Sequence, residues 1–244
     1  MKLLVSDYDG TFETGRLSPY INVNSIRRFM DAGNVFALSS GRSYTSLKLV
    51  AEKYNIPYDY LATCDGSLLF DKDGNNLMFN TMSSKVIGDL QELIGLNLHK
   101  KVNFTHEKEY DTFHSDDMRL ASIAIFIDKE KITSKFKRLY QELKEKHPEL
   151  DFFVYNWYEE YYYMIRPKNV TKSTTVGKLG RILQIPKEEI YTVGDNTNDI
   201  EMIRDYNGFM IGNCEKLEPV ALKRYSSVRR LVKDIMNEKA LKRW

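Results

Sequence analysis

Two carboxylates stand directly after an apolar run near the start of the chain. The run Leu3–Val5 is typical of a buried strand, and Asp7, Asp9, Gly10 and Thr11 follow it. Because residues two positions apart in an extended backbone point to one face, we expect the carboxylates on the same side, with roughly 6–7 Å between their Cα atoms. Like charges this close need a cation, a shared proton or open water. The stretch therefore predicts a site for chemistry, with an ordinary Asp-Gly turn as the alternative.

Four further apolar runs end in small or acidic residues beside a glycine. The four ends are Ser40-Gly41-Arg42, Asp65-Gly66, Gly194-Asp195 and Gly212-Asn213. Helical patterns separate most of these runs, which favours a parallel sheet with crossover helices. In such a sheet all carboxyl ends lie on one edge, where ligands bind. We therefore expect the five ends to form a single site.

Hard oxygen donors dominate this predicted edge. They come from four carboxylates, Asp7, Asp9, Asp195 and Asp199. Oxygen-only coordination suits Mg²⁺, and Cys64 is the one soft ligand at these strand ends. Ser40, Thr11 and backbone amides at helix starts could bind phosphate oxygens, and a lysine is expected to neutralise the phosphoryl charge. Together these groups are the ones that phosphoryl transfer through a carboxylate nucleophile requires.

The pattern changes in the middle of the chain. Between residues 81 and 167 it predicts helix, two strands, helix, two strands, with one long helix over Lys129–His147. This layout indicates an antiparallel α+β unit inserted into the parallel one. We therefore predict core segments at 1–80 and 168–244 and an inserted domain at 81–167. In the first core segment we expect a turn-rich stretch over Glu13–Tyr20 and a helix over Ser25–Ala32.

Composition excludes several classes of protein. Apolar residues make up 42% of the 244 residues, and 36 Lys plus Arg nearly balance 34 Asp plus Glu, which argues against a nucleic-acid-coating protein. Cys64 and Cys214 lack partners at metal-ligand spacing and suit a reducing cytoplasm. There is no apolar run of about 18 residues for a membrane span, and Asp7 interrupts the place of a signal peptide's apolar stretch. We expect a cytoplasmic protein that binds neither nucleic acid nor membrane, as a monomer or small homo-oligomer.

The motifs resemble those of haloacid dehalogenase (HAD) superfamily phosphatases, and more narrowly the Cof-type branch with a type-2 (C2) cap. Four motifs match in order: Asp7-Tyr8-Asp9-Gly10-Thr11, Ser40-Gly41-Arg42, Lys172, and Gly194-Asp195-Asn196-Thr197-Asn198-Asp199. The inserted segment lies between the second and third motifs, where the type-2 cap sits. The resemblance implies an α/β fold, with a Rossmann-like three-layer core around a parallel sheet and an α+β cap with an antiparallel sheet.

The resemblance also implies roles for individual residues. Asp7 would attack phosphorus to form an aspartyl-phosphate, and Asp9 would protonate the leaving group and then deprotonate water. Mg²⁺ would be held by Asp7, the Asp9 carbonyl and Asp195, with Asp199 in support. The residues implied to bind phosphate are Thr11, Ser40, Gly41, Lys172 and Asn198. Those implied to lie near the substrate are Arg42, Asp65 and Gly66.

Some positions depart from the family pattern or allow a second interpretation. Asp65 stands where the family usually has asparagine, and a carboxylate beside a phosphate is unfavourable unless paired, for which Arg42 is a candidate. Lys178 competes with Lys172 for the role of the third-motif lysine. Asp199 could simply cap a helix.

The predicted function is a Mg²⁺-dependent phosphomonoester hydrolase that acts on a small phosphorylated metabolite, with a sugar phosphate favoured. A sugar phosphomutase that uses the same aspartyl-phosphate is the first alternative. A non-catalytic regulator that binds a metabolite on the same fold is the second.

Overall fold

The computed structural model describes residues 1–15, 17–106, 110–111, 119–157 and 159–241. The chain divides into two compact units. The core unit comprises Met1–Met78 and Thr171–Trp244, and the inserted unit comprises Phe79–Val170.

Within the described residues, eight strands form the sheet of the core unit. In chain order they are β1 (Leu3–Asp7), β2 (Val35–Ser39), β3 (Tyr60–Thr63), β4 (Leu68–Asp71), β5 (Asn76–Phe79), β11 (Ile190–Gly194), β12 (Asn207–Ile211) and β13 (Lys223–Tyr225). Their order across the sheet is β13-β12-β11-β1-β2-β3-β4-β5, parallel from β13 to β3, with β4 antiparallel to β3. The predicted parallel sheet is confirmed, and β1 lies in its middle with its carboxyl end at the expected edge.

Among the described residues, the core unit contains five α-helices, of which α1, α2 and α6 each connect two neighbouring parallel strands. They are α1 (Ser18–Asp31), α2 (Tyr44–Lys53), α5 (Lys172–Leu183), α6 (Ile200–Asp205) and α7 (Val228–Met236). The apolar residues of β1 and β2 that face these helices are fully buried, Leu3, Val5 and Ala37 among them. This close packing fixes where the strand ends lie.

The predicted start of the first helix is wrong. The residue pattern predicts a turn-rich stretch up to Tyr20 and a helix that begins at Ser25, whereas α1 begins at Ser18. Pro19 lies in the first turn of the helix, where its missing N–H costs no hydrogen bond and its fixed φ suits the helix. The residue types of Glu13–Tyr20 thus indicate a turn, although the helix begins within this stretch.

In its described residues, the inserted unit contains an antiparallel sheet and two α-helices. Its elements are α3 (Lys85–Gly95), β6 (His99–Thr105), β7 (Tyr110–Asp111), β8 (Ser122–Asp128), α4 (Ser134–Lys146), β9 (Leu150–Trp157) and β10 (Glu160–Pro167). Its described strands lie in the order β7-β6-β8-β10-β9 with antiparallel pairing. The predicted α+β class is therefore confirmed.

The long helix predicted from Lys129 starts later than expected. Lys129–Lys131 forms a short 3₁₀ turn, and α4 begins at Ser134 after Thr133. The Thr133 side chain accepts a hydrogen bond from the Phe136 amide at 3.1 Å, which satisfies a free N–H at the helix start. None of the described helices has the length and apolar character needed to cross a membrane.

Candidate active site

The loop after β1 turns back on itself at the carboxyl edge of the core sheet. The Phe12 amide donates to the Asp7 carbonyl at 3.2 Å, and the Glu13 amide donates to the Tyr8 carbonyl at 2.8 Å. Gly10 has a φ of +87°, and a Cβ there would lie 2.3 Å from Asp195 Oδ2. Glycine is therefore required for this loop to approach the end of β11 so closely.

Asp7 is a buried carboxylate with two different oxygen environments. It is 5% exposed, and its Oδ1 accepts a hydrogen bond from Lys172 Nζ at 2.5 Å. Its Oδ2 is buried and receives no hydrogen bond from the described residues. Burial raises the pKa of Asp7 well above its usual value, the charge of Lys172 opposes that rise, and the charges of Asp199 and Asp195 add to it. An uncompensated buried oxygen of this kind needs a cation or a proton.

Lys172 carries the buried positive charge of the site. It is the first residue of α5, is 1% exposed, and donates to Asp7 Oδ1 and, at 2.7 Å, to Asp199 Oδ1. Burial alone would lower the pKa of Lys172, but the charges of Asp199 and Asp7 outweigh it and raise the pKa well above the usual value. The lysine is thus a fixed ammonium ion at the end of β1.

Asp199 organises the loop after β11. Its Oδ2 accepts hydrogen bonds from the backbone amides of Asp195 and Asn196, both at 3.0 Å, while its Oδ1 takes the bond from Lys172. The alternative that Asp199 simply caps the next helix is wrong: Asp199 precedes α6, but its side chain makes no capping hydrogen bond there and instead accepts the Asn196 amide at the start of the 3₁₀ turn Thr197–Asp199. Asp199 therefore links the lysine to the loop that carries Asp195.

Asp195 faces Asp7 across the edge of the sheet. Its Oδ1 accepts a hydrogen bond from Thr11 Oγ1 at 2.6 Å. Burial raises the pKa of Asp195, the Thr11 hydrogen bond opposes this, and the charge of Asp199 adds to it. Oxygen atoms of Asp7, Asp195 and Asp199 all lie within 4.8 Å of one another.

These three carboxylates fit a divalent cation. Three negative groups share one buried ammonium, which leaves excess negative charge in a region where charge is costly. The unbonded Oδ2 of Asp7 supplies a free ligand atom, and the donor set is oxygen only, as Mg²⁺ prefers. The Asp9 carboxylate does not belong to this group.

Asp9 points instead to an arginine. Arg42 Nε donates to Asp9 Oδ2 at 2.8 Å and Arg42 Nη2 donates to Oδ1 at 2.7 Å, a two-pronged ion pair. Ser40 Oγ lies 3.4 Å from the same Oδ2. The crowding of Asp7 and Asp9 expected from the sequence is thus resolved by giving each carboxylate its own cation, since Lys172 pairs with Asp7.

A comparison with protein-family models matches residues 4–109 and 95–217 to the haloacid dehalogenase-like hydrolases. This chain is a member of that family. An inferred phosphatase of Buchnera aphidicola subsp. Baizongia pistaciae is 23% identical over 244 residues, which covers 88% of each chain. The family membership expected from the four motifs is confirmed, and so is the class of enzyme, a hydrolase of the HAD superfamily.

Solved structures of HAD proteins share the fold along nearly the whole chain. A HAD-like hydrolase from B. subtilis has a TM-score of 0.76 at 19% identity, covering 96% of this chain and 99% of that one. A HAD subclass IIB sugar phosphatase has a TM-score of 0.75 at 17% identity, covering 98% of this chain and all of that one (100%). At such identities the likeness shows the fold.

The remaining second- and third-strand residues of this HAD chain also lie at the edge. Ser40 follows β2 and is buried, and a Cβ on Gly41 would lie 3.3 Å from Asp65 Oδ2. Asp65 is buried with a φ of +51°, and its Oδ1 accepts a hydrogen bond from Asn198 Nδ2 at 3.0 Å. The carboxylate at this unusual position thus has a donor in Asn198.

Gly66 lets the start of α5 come close to the end of β3. It has a φ of +100°, and a Cβ there would lie 1.9 Å from the Thr171 carbonyl oxygen. Thr171 precedes Lys172 and forms a reciprocal pair of capping bonds with Thr174. Gly66 therefore determines where the site lysine enters the sheet edge.

The structure distinguishes between the two lysines that the sequence offered for the third motif. Among the described contacts, the lysine on Asp7 is Lys172, and Lys178 lies farther along the same helix. Sequence reasoning missed the Arg42–Asp9 pair and the packing of the Arg42 guanidinium 5.4 Å from the centre of the Tyr8 ring. The signal for both was the second-motif arginine beside an acidic first motif.

Proposed function

We propose that this HAD hydrolase is a Mg²⁺-dependent phosphatase that cleaves a phosphate monoester through an aspartyl-phosphate on Asp7. The observation that carries the proposal is the state of the Asp7 carboxylate. One of its oxygens is held by the buried Lys172, and the other is buried without a hydrogen-bond donor among the described residues, within a group of three carboxylates. The bond from Lys172 holds the Asp7 carboxylate in one orientation, which suits in-line attack on phosphorus.

The covalent step uses the side chains at the end of β1. A carboxylate oxygen of Asp7 bonds to phosphorus as the bond from phosphorus to the leaving oxygen breaks. Asp9, in its protonated form, gives its proton to that oxygen and then takes one from the water that releases phosphate. Ser40 and Lys172, together with amides of the surrounding loops, bind the phosphoryl oxygens.

Arg42 sets the condition for Asp9 to act. In the described arrangement two of its N–H groups donate to the two carboxyl oxygens of Asp9. Phosphate monoesters offer the same two-pronged partner to an arginine as a carboxylate does. When the substrate phosphate takes over the Arg42 donors, Asp9 is free to accept and deliver a proton.

Magnesium would be held by Asp7 and Asp195, with Asp199 in support and the Asp9 carbonyl as a further ligand. When bound, the ion neutralises the carboxylates and the phosphate so that an anion can approach an anion. The fit rests on the oxygen-only group and on the unbonded Asp7 oxygen.

The favoured substrate is a small phosphorylated sugar. Its support is the likeness in fold to a HAD subclass IIB sugar phosphatase together with an inserted α+β unit. Cytoplasmic location stays a prediction from the sequence.

The test is hydrolysis of an aryl phosphate with Mg²⁺, repeated with EDTA and with Asp7→Asn. We expect turnover that needs both the metal and the carboxylate. Equal activity in EDTA, or an active Asp7→Asn enzyme, would contradict the proposal. A panel of sugar phosphates, nucleotides and phosphorylated cofactors then tests the substrate class, and a hexose 1-phosphate converted to the 6-phosphate would reveal a mutase.

A further inference from the structure

A cavity opens at the carboxyl ends of β12 and β13. It has a volume of about 1150 Å³ and is lined by core-unit residues only. Its lining includes Gly10 and Thr14 of the loop after β1 and residues in the first two turns of α7. This size matches or exceeds small-molecule pockets, which span roughly 300–1000 Å³.

The lining of this cavity is strongly positive. Its charged side chains are four cations and one carboxylate: Lys223, Arg224, Arg230, Lys233 and Asp234. Asp234 already accepts a hydrogen bond from the Tyr225 hydroxyl at 2.9 Å and lies 3.8 Å from Lys223 Nζ. The single acid therefore does little to offset the cations.

Two of the cations have no counter-charge among the described residues. Arg224 pairs with Glu218 and donates to Asn213 Oδ1 at 2.9 Å. Arg230 and Lys233, by contrast, make no ion pair within the part of the chain that the structure describes, and both are exposed. Their positive charge is available to a ligand.

The amino terminus of α7 adds to the positive electrostatic potential of the cavity. Ser227 caps the helix by accepting the Arg230 amide at 3.4 Å, and the first turn contains Arg229 and Arg230 but no acidic residue. Cations at a helix amino terminus oppose the helix dipole, so an anion bound beside them would be stabilised by both. The cavity thus combines volume, free cations and a favourable dipole.

We propose that this cavity binds a small molecule with two or more phosphate groups, separately from the phosphate monoester at Asp7. Several cations spread over two elements suit more than one phosphate group. The ligand would lie against Gly10, which packs on the Asp195 carboxylate, and so beside the loop that carries Asp7 and Asp9.

The experiment measures binding of inorganic tripolyphosphate by calorimetry, without Mg²⁺ and at low salt. Three variants accompany the wild type: a double charge reversal, Arg230→Glu with Lys233→Glu; a matched reversal at exposed lysines elsewhere, Lys72→Glu with Lys137→Glu; and Ser40→Ala. Circular dichroism checks that each variant is folded. Inorganic monophosphate serves as the weaker ligand for comparison.

We expect tripolyphosphate to bind the wild type more tightly than monophosphate does, and the Arg230/Lys233 variant to bind it about tenfold or more weakly. The Lys72/Lys137 and Ser40 variants should bind it as the wild type does. No binding, or equal weakening in both charge-reversal variants, would overturn the proposal. Loss on Ser40→Ala alone would place the anion at the Asp7 site and overturn it too. None of these outcomes depends on turnover, so the proposed phosphatase activity is tested independently.

Discussion

Arg42 donates a hydrogen bond to each carboxylate oxygen of Asp9, from Nε to Oδ2 at 2.8 Å and from Nη2 to Oδ1 at 2.7 Å. Asp9 lies two positions after the proposed nucleophile Asp7, and Arg42 lies in the turn that follows β2, so the ion pair connects the ends of these two strands. Both side chains keep about a third of their surface exposed, at 34% and 39%. The pair is therefore open to exchange with a substrate.

Replacing Arg42 by alanine should affect activity far more than stability. Because about a third of the surface of each side chain is exposed, loss of the pair should change the free energy of unfolding by no more than about 1 kcal/mol. Activity should fall by roughly 10–100-fold, because the proton carrier and a phosphate contact lose their position. Arg204→Ala, which removes another exposed ion pair at 2.8 Å, to Asp205, is the matched control and should leave activity unchanged. Urea unfolding and aryl-phosphate turnover measure the two quantities; a large stability loss with normal turnover would contradict this account.

Lys172 should be essential for both folding and activity. Lys172→Met leaves buried Asp7 and Asp199 without their cation, which should cost about 3–5 kcal/mol of stability. Turnover should fall by at least about 100-fold, since a charge that stabilises the transition state is lost. Lys178→Met, six positions later in α5, is the control and should stay near wild type in denaturant unfolding and in turnover. Similar behaviour of the two variants would show that Lys172 has been assigned the wrong role.

Magnesium should stabilise the protein increasingly as pH rises. Burial raises the pKa of Asp7 above its value in the unfolded chain, so without metal this group's contribution to stability is complete below about pH 4 and is lost as pH rises through the native pKa. Mg²⁺ needs the ionised carboxylate, so the difference in melting temperature between Mg²⁺ and EDTA should grow over that window.

Thermal unfolding from pH 5 to 8, at constant ionic strength, measures this difference. Asp195→Asn should reduce it, because one ligand of the group is lost. A difference that stays constant with pH, or that is as large in Asp195→Asn, would speak against the metal site.

Gly66 should tolerate no side chain. Gly66→Ala places a Cβ 1.9 Å from the Thr171 carbonyl in a backbone with a φ of +100°, so α5 and its lysine must shift. We expect a loss of stability beyond the roughly 1–2 kcal/mol that left-handed backbone costs an ordinary residue. Gly33→Ala separates the two effects, since Gly33 has a φ of +79° with open space around it and should show the backbone cost alone. Equal losses in urea unfolding would mean that the close approach at Gly66 is unimportant.

The sequence was sufficient for features that depend on local pattern and chain order. The parallel strands, the antiparallel inserted unit and the collection of Asp7, Ser40 and Asp195 at one edge follow from apolar runs that end in polar residues. Topology alone brings those ends together. Pattern could not locate α1, because Pro19 signals a turn and a helix start equally well. It also missed β13, which has three residues and no alternation to detect.

Side-chain partners required coordinates. Asp7 and Asp9 are the same residue type and lie two positions apart, yet Asp7 is buried and paired with Lys172, whereas Asp9 is partly exposed and paired with Arg42. That division depends on the turn at Gly10 and on the depth of β1 in the sheet, neither of which one sequence specifies. The same holds for Asn198, whose amide donates to Asp65.

The central claim is that Asp7 carries the phosphoryl group during turnover. Rapid-quench mass spectrometry of the Asp9→Asn enzyme, mixed with an aryl phosphate and Mg²⁺, tests it most directly, because that substitution should slow release of phosphate from the enzyme. We predict a mass increase of one phosphoryl group per chain, located to Asp7 by peptide mapping and absent when Asp7→Asn is added. Turnover by the wild type with no such adduct in Asp9→Asn, or an adduct that persists without Asp7, would contradict the account.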